Sequence, residues 1–494
     1  MKSKQLITKQ NYTSLKNTLK GKSVGLCHGA FDILHLGHLK HLKQAKNNCD
    51  VLIVSLTADE FIKKGPFQPY FNIFQRAEAL LSVKYVDYVY ISHSETGEES
   101  IKLFQPKYYI KGIDYINNSK DYNLSNEKKT CKENQTKIFF TKTEKFSSTK
   151  ILNNFFINFT SEQKKIIIKI KKKYSVKKIF NIFNQFKKLQ FALTGELIID
   201  EYKFVEVIGT ATKSPIMTSD FLFREKHLGG SIIAAIILSE FINKVHYIIP
   251  MNKKNHLSKL RSNIKKLFCD LNFNIIKKTR YVNLHKKNKL FQTNIINNLT
   301  INQNNIKKFK NLLNILKNKY PLIILDFGLG LIDKSISEKL SKKNLYLNVQ
   351  TNSNNYGFNL LSKYKNYSYI SINLREFELN FGVRINHYKE IRHFINKMPN
   401  VPISITLGAK GSVFINKKRE LIYCPSFFSN PLDTTGCGDA YFIITSLLVR
   451  LGFDNEIVPF IGNCYAGLHS NNFGNSKVPT KKELINTINS FINI

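Results

Sequence analysis

A rhythm that occurs twice limits what this chain can become. Short runs of β-branched and aliphatic residues alternate with stretches of helical spacing, joined by glycine-bearing turns. In the first part the runs are SVGLCH (23–28), DVLIVSLT (50–57), VDYVYIS (86–92) and the segment 107–110, with helical spacing over 39–46 and 76–81. In the second part they are FALTGELIID (191–200), HYIIP (246–250), YPLIILDFG (320–328), NLYLNVQ (344–350), YSYISIN (367–373) and VPISITLG (401–408), followed by a long helix from about 436. Strands that alternate with helices predict parallel sheets wound on both faces. The expected fold class is α/β, with two doubly wound αβ domains at 1–154 and 189–494 and a helical linker over 155–188. No internal repeat relates the two halves.

Composition narrows the class further. Hydrophobic residues make up 43% of the 494 residues and charged residues 22%, enough apolar material for more than one core and too much for a disordered chain. The 7 cysteines are scattered without a C-x-x-C pair, so a disulfide scaffold is excluded and a reducing cytoplasm is expected. The net charge of +40 is carried largely by Lys spread along the whole chain with Asn and Ile. That spread reads as compositional drift rather than a nucleic-acid stripe, for which Arg is the usual reader. The opening residues hold no apolar run of signal-peptide length, and no stretch approaches the ~20 apolar residues of a membrane span. The polar segment 116–136 reads as a loop or insertion. The Lys-rich segment 155–188 reads as helix with its lysines in water.

The stretch HGAFDILHLGH (28–38) follows a strand and opens a helix. A helix N-terminus offers unpaired N–H groups and the positive end of a dipole, and so favours a phosphate. His35 and His38 stand three apart and share a face on a helical first turn. Gly37 between them leaves room for a phosphate close to the backbone. Two imidazoles aimed at one phosphate stabilise the charge of an in-line attack without a covalent enzyme intermediate. Metal binding or simple packing are the other uses of such a pair.

The pattern G-x-F-D-x-x-H-x-G-H, carried by Gly29, Phe31, Asp32, His35, Gly37 and His38, resembles the signature of the cytidylyltransferase-like nucleotidyltransferases. Further pieces follow in order: Lys64 in KKGP, Arg76 at a helix start, KGIDY (111–115), and FSSTKI (146–151) with Ser147, Ser148 and Thr149. The resemblance covers about residues 22–152 and implies a Rossmann-like domain. It makes His35 and His38 catalytic at the transferred phosphate, Lys64 and Arg76 neutralisers of triphosphate charge, and the three hydroxyl residues phosphate holders. Gln68 departs from the pattern, where Arg would be expected.

A second cradle lies in DTTGCGDAYF (433–442). Asp433, Thr434 and Thr435 precede a Gly-x-Gly turn whose N–H groups converge on an anion. Asp439 at the helix start can accept a proton from an attacking hydroxyl as a phosphoryl group moves. An ordinary N-cap aspartate after a glycine turn is the plain alternative.

This segment resembles the D-T-x-G-A-G-D signature of the ribokinase-like (PfkB family) sugar kinases, with Cys437 where Ala is usual. Supporting pieces are GELIIDEY (195–202), HLGGS (227–231), DFGLG (326–330), NLRE (373–376) and TLGAKG (406–411). The resemblance spans about residues 189–494. It implies Asp439 as base and the N–H groups of Thr435, Gly436, Cys437 and Gly438 as anion hole, with Thr434 beside them. It implies Thr406, Gly408 and Gly411 around the nucleotide, and Glu196, Asp200, Gly229 and Gly230 toward the sugar. It makes Glu376 an indirect organiser of Mg²⁺ and its water. NVQTNSNNYGFN (348–359) resembles a substrate-facing segment of fused relatives. Ile233, Glu196 and Leu329 depart from the pattern, all on the sugar side.

The pairing resembles the bifunctional ADP-heptose synthesis enzymes with the halves in swapped order. It implies a kinase that phosphorylates a sugar or sugar phosphate with ATP and Mg²⁺, and a transferase that makes a nucleotide-activated sugar for surface polysaccharide. The expected partners are small molecules, with no membrane and no nucleic acid, and a homo-oligomer is allowed. Two alternatives stay open: CTP-dependent activation of a polyol or other alcohol phosphate beside a divergent kinase, and a basic binding protein with degenerate sites.

Overall fold

The computed structural model describes residues 5–7, 12, 16–62, 69–112, 122–141, 159–251, 260–271, 273, 275–285, 288–296, 303–340 and 344–492. The chain divides into two compact units, Met1–Asn158 with Asn493–Ile494, and Phe159–Ile492.

The first unit is built from β1 (Gln5–Ile7), β2 (Val24–Gly29), α1 (Leu36–Lys46), β3 (Val51–Thr57), α2 (Ile73–Ser82), β4 (Tyr88–Ser92), α3 (Glu98–Phe104), β5 (Tyr108–Gly112), α4 (Tyr122–Glu133) and β6 (Lys137–Thr141). Its six-stranded sheet is parallel throughout, in the order β1-β4-β3-β2-β5-β6. Every residue of β3 is buried, as a central parallel strand requires. The strand order reverses beside β2, and in open α/β sheets ligands bind at such a switch point, outside the carboxyl ends of the strands. The loop 30–35 lies there.

The stretch 116–136 corrects the sequence reading, because it contains α4. Its polar pattern hides a core contact: Glu127, Thr130 and Cys131 are all buried. Glu127 takes the ammonium of Lys111 at 2.9 Å and the N–H of Gly97 at 2.8 Å. A buried ion pair stands in for the apolar residues that would have given the helix a readable period.

The second unit opens with α5 (Ser161–Lys173) and α6 (Val176–Phe186). These helices occupy the segment expected to be a linker, but they belong to the body of this unit. Ile166, Ile167 and Ile170 of α5 and Ile179, Ile182, Phe183 and Phe186 of α6 are buried, and the Gln163 side chain donates to the Ser426 carbonyl at 2.6 Å. Then follow β7 (Gln190–Gly195), β8 (Leu197–Thr210), β9 (Met217–Gly229), α7 (Gly230–Phe241), β10 (Lys244–Ile249), β11 (Ile264–Phe268), β12 (Ile276–Asn283) and β13 (Lys289–Ile295). The remainder is α8 (Gln303–Lys319), β14 (Leu322–Asp326), α9 (Lys334–Leu340), β15 (Leu345–Val349), β16 (Tyr369–Asn373), α10 (Leu374–Phe381), β17 (Ile403–Thr406), β18 (Ser412–Ile415), β19 (Leu421–Cys424), α11 (Cys437–Arg450), α12 (Ile457–Ser470) and α13 (Lys481–Ile492).

Nine strands form the main sheet in the order β11-β10-β7-β14-β15-β16-β17-β18-β19, parallel except for the last two pairings. The expected single strand 191–200 is two strands. The chain breaks at Gly195, where a Cβ would lie 2.3 Å from the Leu325 carbonyl oxygen. Beyond the break β8 enters a separate four-stranded sheet, β13-β12-β8-β9, which the sequence reading did not anticipate. Among the described residues no helix is long and apolar enough to cross a membrane.

Candidate active sites

In the first unit, β2 ends at Gly29 and the chain turns through Phe31, whose φ of +45° is a left-handed conformation that a bulky residue rarely adopts. The Phe31 ring lies 5.4 Å from that of His38, and the His35 and His38 rings stack at 3.9 Å. The two histidines expected at the phosphate are therefore together. His35 is not inside the first turn but caps it: its Nδ1 accepts the Gly37 N–H at 3.1 Å. That bond leaves Nε2 as the site of the proton, and burial lowers the pKa of the ring, so His35 is a neutral donor. No acidic residue lies in the first turn of α1 to compete with an anion.

Asp32 and Arg76 hold this loop in place. Asp32 accepts the N–H groups of Tyr70 at 2.9 Å and Phe71 at 3.0 Å. Arg76 was expected as a charge neutraliser, but its side chain is fully buried and committed elsewhere. It donates to the carbonyls of Phe71 (2.9 Å), Ala30 (2.6 Å) and Thr57 (2.9 Å) and to the Asp59 carboxylate (2.5 Å). A guanidinium whose donors are taken by the protein organises the loop and does not reach a triphosphate. Lys64, Gln68, Ser147, Ser148 and Thr149 lie outside the described residues. His41, one turn beyond His38, was not singled out by the sequence. It meets Thr141 Oγ1 at 2.7 Å, and burial, helped by Lys111, pushes its pKa down to about 4.

In the second unit the glycine loop behaves as its sequence suggests. Gly436 caps α11 at φ +80°, and a Cβ there would lie 2.3 Å from Asn475 Oδ1. The expected anion hole is narrower than four N–H groups. That of Thr435 donates to Asp433 Oδ1 at 2.9 Å and that of Cys437 to the Thr434 carbonyl at 3.2 Å. The N–H groups of Gly436 and Gly438 take part in no such bond within the loop, and both residues line a cavity. A cavity of about 380 Å³ opens beside them, within the range of small-molecule sites. Thr434, Gly436, Cys437, Gly438, Asp439 and Glu376 line it, as do Thr406, Gly408 and Gly411. Thr435 is turned instead to Asp433 and Lys289.

Asp439 lies in the first turn of α11, buried, with its Oδ1 2.5 Å from the Gln350 side-chain nitrogen. Burial pushes its pKa up to about 7; the Gln350 hydrogen bond and Lys278 act in the opposite direction. The carboxyl is thus poised to exchange a proton near neutrality. Glu376 is also pushed up to about 7 by burial. Its oxygens accept the N–H groups of Thr351 (3.0 Å) and Asn373 (2.7 Å) in the capping box of α10. Each oxygen keeps a second lone pair, which suits the water shell of a cation better than direct ligation. No cluster of three or more His, Cys, Asp or Glu forms a metal cage among the described residues.

The sugar-side expectations divide. Asp200 is placed near Asp439, takes Arg280 Nη1 at 2.5 Å, and sits so close to Gly229 that a Cβ there would lie 2.3 Å from its Oδ2. Glu196 is not on a substrate surface. It is fully buried and accepts the N–H groups of Phe327 (3.0 Å) and Leu329 (3.1 Å), fixing the turn after β14; burial and the neighbouring Asp326 raise its pKa. Gly230, at φ +58°, lets the chain pass the Glu196 carbonyl, 2.5 Å from where a Cβ would stand. Of the segment 348–359 only Asn348 and Gln350 line the cavity. Asn352, Asn355 and Asn359 brace Phe327, Gly328 and Asp326. Ile233 and Leu329 are core residues.

Three cations of the four-stranded sheet were missed: Lys278 and Arg280 on β12 and Lys289 on β13. Arg280 pairs with Asp200; Lys289 lies 2.5 Å from Asp433 Oδ1 and 2.8 Å from Thr435 Oγ1. Burial lowers the pKa of Lys278, opposed by Asp200, with Asp439 and Glu196 also acting on it. The one available signal was the i, i+2 spacing of Lys278 and Arg280, which puts both on one face of a strand.

The pfkB family carbohydrate kinase model matches residues 193–442, half of the chain, and covers the glycine loop and all of the cavity lining except Asn463, Ala466, Gly467 and Ser470. The chain belongs to the pfkB family of carbohydrate kinases. Its N-terminal part carries a cytidylyltransferase-like domain, matched over residues 26–154. The fold of the second unit is that of phosphofructokinase-2 from Escherichia coli, with a TM-score of 0.50 and 11% identity over 61% of this chain and 99% of that one. In sequence the chain is similar to the bifunctional protein HldE of Aliarcobacter butzleri, 46% identical over 97 residues, 19% of this chain and 20% of that protein. The HldE protein of Helicobacter hepaticus is 37% identical over 115 residues, 23% of this chain and 24% of that protein. These matches fall in the N-terminal part, so the aligned region spans about a fifth to a quarter of the curated relatives.

Proposed function

We propose that the second unit transfers the γ-phosphoryl group of ATP to a hydroxyl of a sugar or sugar phosphate, and that the first joins a nucleotidyl group to a sugar 1-phosphate with release of pyrophosphate. The product is a nucleotide-activated sugar of the ADP-heptose kind, made in the cytoplasm for surface polysaccharide. The observation that carries the kinase half is Asp439, buried under the Gly436–Gly438 loop in a cavity of about 380 Å³ and pushed up to about 7.

In this reading Thr406, Gly408 and Gly411 border the nucleotide, and the N–H groups of Gly436 and Gly438 hold its phosphates. Gln350 occupies Asp439 Oδ1, which leaves Oδ2 to take the proton of the acceptor hydroxyl. Asp200 and Arg280 hold the acceptor on the other side. Magnesium, bound with the nucleotide, supplies neutralisation of the phosphate charge, and Glu376 fits as the holder of its water shell. The cations Lys278 and Arg280 beside Asp200 favour an acceptor that already bears a phosphate. In the first unit the Nε2–H of His35 and the stacked His38 donate to the α-phosphate while an oxygen of the sugar 1-phosphate attacks it. Lys64, Ser147, Ser148 and Thr149 complete the triphosphate site in the same reading, with ATP or CTP as donor.

A mass-spectrometric screen of sugars and sugar phosphates with ATP and Mg²⁺, scored for ADP, and a nucleotide panel scored for pyrophosphate, test the two halves separately. If no sugar or sugar phosphate yields ADP above the Asp439→Asn background, the kinase half fails.

A further inference from the structure

Lys289 reaches the glycine loop from β13 of the four-stranded sheet, 144 residues away in sequence from Asp433. Its ammonium lies between Asp433 Oδ1 (2.5 Å) and Thr435 Oγ1 (2.8 Å), at the head of the loop that opens α11. The two partners are unequal. The Lys289 side chain is 36% exposed, whereas that of Asp433 is 1% exposed. Asp433 is also fully hydrogen-bonded without the lysine. Its Oδ1 takes the N–H and the hydroxyl of Thr435, each at 2.9 Å, and its Oδ2 takes the Tyr202 hydroxyl at 3.0 Å and the Gly474 N–H at 3.1 Å. Removing a partner from a buried carboxylate is normally expensive because a charge is left unpaired. Here four donors stay in place, so Lys289 can leave Asp433 without orphaning it.

We infer that Lys289 is a ligand of the γ-phosphoryl group, shifting from Asp433 to that group when nucleotide fills the loop. The inference rests on the kinase reading above and adds a residue to that site. In the transfer, the acceptor oxygen forms a bond to the γ-phosphorus and the bond to the bridging oxygen breaks. The electron pair leaves with ADP, and the hydroxyl proton passes to Asp439. Charge on the moving group's oxygens needs a compact cation that can follow it, which an ammonium on a flexible stem provides. The other cations are less suited: Arg280 is engaged by Asp200, and Lys278 stands among Asp200, Asp439 and Glu196. A phosphate on the acceptor is the other source of the same chemistry, and the test separates the two.

The experiment compares the full-length wild type with Lys289→Met and Lys289→Arg. Each is titrated with the non-hydrolysable analogue AMP-PNP or with ADP, both with Mg²⁺, while hydrogen exchange is followed in the peptide that contains 433–442. That peptide reports the second unit even though the first also binds nucleotides. The expected result for Lys289→Met is about a tenfold weaker response to AMP-PNP with ADP changed less than about twofold, and a smaller loss for Lys289→Arg. Equal loss for both nucleotides would make Lys289 a strut of the loop and overturn the inference. No change for either would do the same, and would move the lysine to the acceptor side or out of the site. A wild type whose peptide responds to neither nucleotide would overturn the kinase reading itself.

Discussion

The Gln350 side chain donates a hydrogen bond to Asp439 Oδ1 at 2.5 Å and another to Asn348 Oδ1 at the same distance. Asn348 is itself held by the Ser371 carbonyl at 2.8 Å. The chain of amides fixes the orientation of the carboxylate and stabilises its ionised form.

Replacing Gln350 with Leu removes a donor that favours the anion. The pKa of Asp439, already pushed up to about 7 by burial, rises further, and less of the base is ionised at neutral pH. The acid limb of the kinase kcat/KM profile is expected to move upward by about half to one pH unit. Activity at pH 7 drops several-fold and recovers in mild alkali. A profile that keeps its shape and only loses amplitude would show that Gln350 does not tune the base.

Asp439→Asn abolishes ADP formation and leaves pyrophosphate release by the first unit intact, whereas His38→Ala does the reverse. The same Asp439→Asn change stabilises the protein in alkali. A carboxyl whose folded pKa lies above its unfolded value is favoured in its neutral form, so that stability is complete at low pH and is lost as pH rises through about 7. At pH 8 the amide removes a burial cost on the order of 4 kcal/mol, about three pKa units at about 1.4 kcal/mol each, and melting temperature rises by roughly 2–4 °C per kcal/mol. At pH 4 the gain disappears. Melting curves of both proteins at the two pH values check this.

Gly436→Ala places a Cβ against Asn475 Oδ1 in a backbone that L-residues avoid. The strain is about 1–3 kcal/mol, and the loop can relieve it only by moving its donors. Kinase activity is expected to fall at least about tenfold while the transferase is untouched, and ADP and pyrophosphate assays on one preparation read both.

Arg76→Met leaves Asp59 and three carbonyls without their donor. The Asp59 side chain is 38% exposed and stays solvated, so the cost falls on the orphaned carbonyls and is about 1–3 kcal/mol. The expected result is a lower melting temperature of the first unit together with lost transferase activity. An unchanged melting temperature with a raised KM for the nucleoside triphosphate would return Arg76 to the role of charge neutraliser.

What the sequence revealed follows a physical divide. The two glycine-bearing turns were legible because everything they need is local: a strand end, a tight turn, a helix start, and the His35–His38 pair or Asp439 within one turn. Arg76 was found but misassigned, since only the fold shows that its donors meet Ala30, Thr57 and Phe71. Lys289 could not be found at all, because a lysine in a basic chain carries no mark and its loop lies 144 residues away. The helix α4 escaped because its buried face uses Glu127 and Thr130 where a periodic pattern needs aliphatic residues. The four-stranded sheet was missed because β9 and β13 leave most of their side chains in solvent.

The Gln163 bond to Ser426 reaches further than helix packing. Ser426 is part of the cavity wall, so α5, which precedes β7 in the chain, buttresses that cavity from outside the segment the kinase family model matches. A kinase fragment cut at residue 189, where the motifs begin, would bare Phe241, against which Phe183 and Phe186 of α6 pack, and slacken that wall. A fragment begun ahead of Phe159 would keep both.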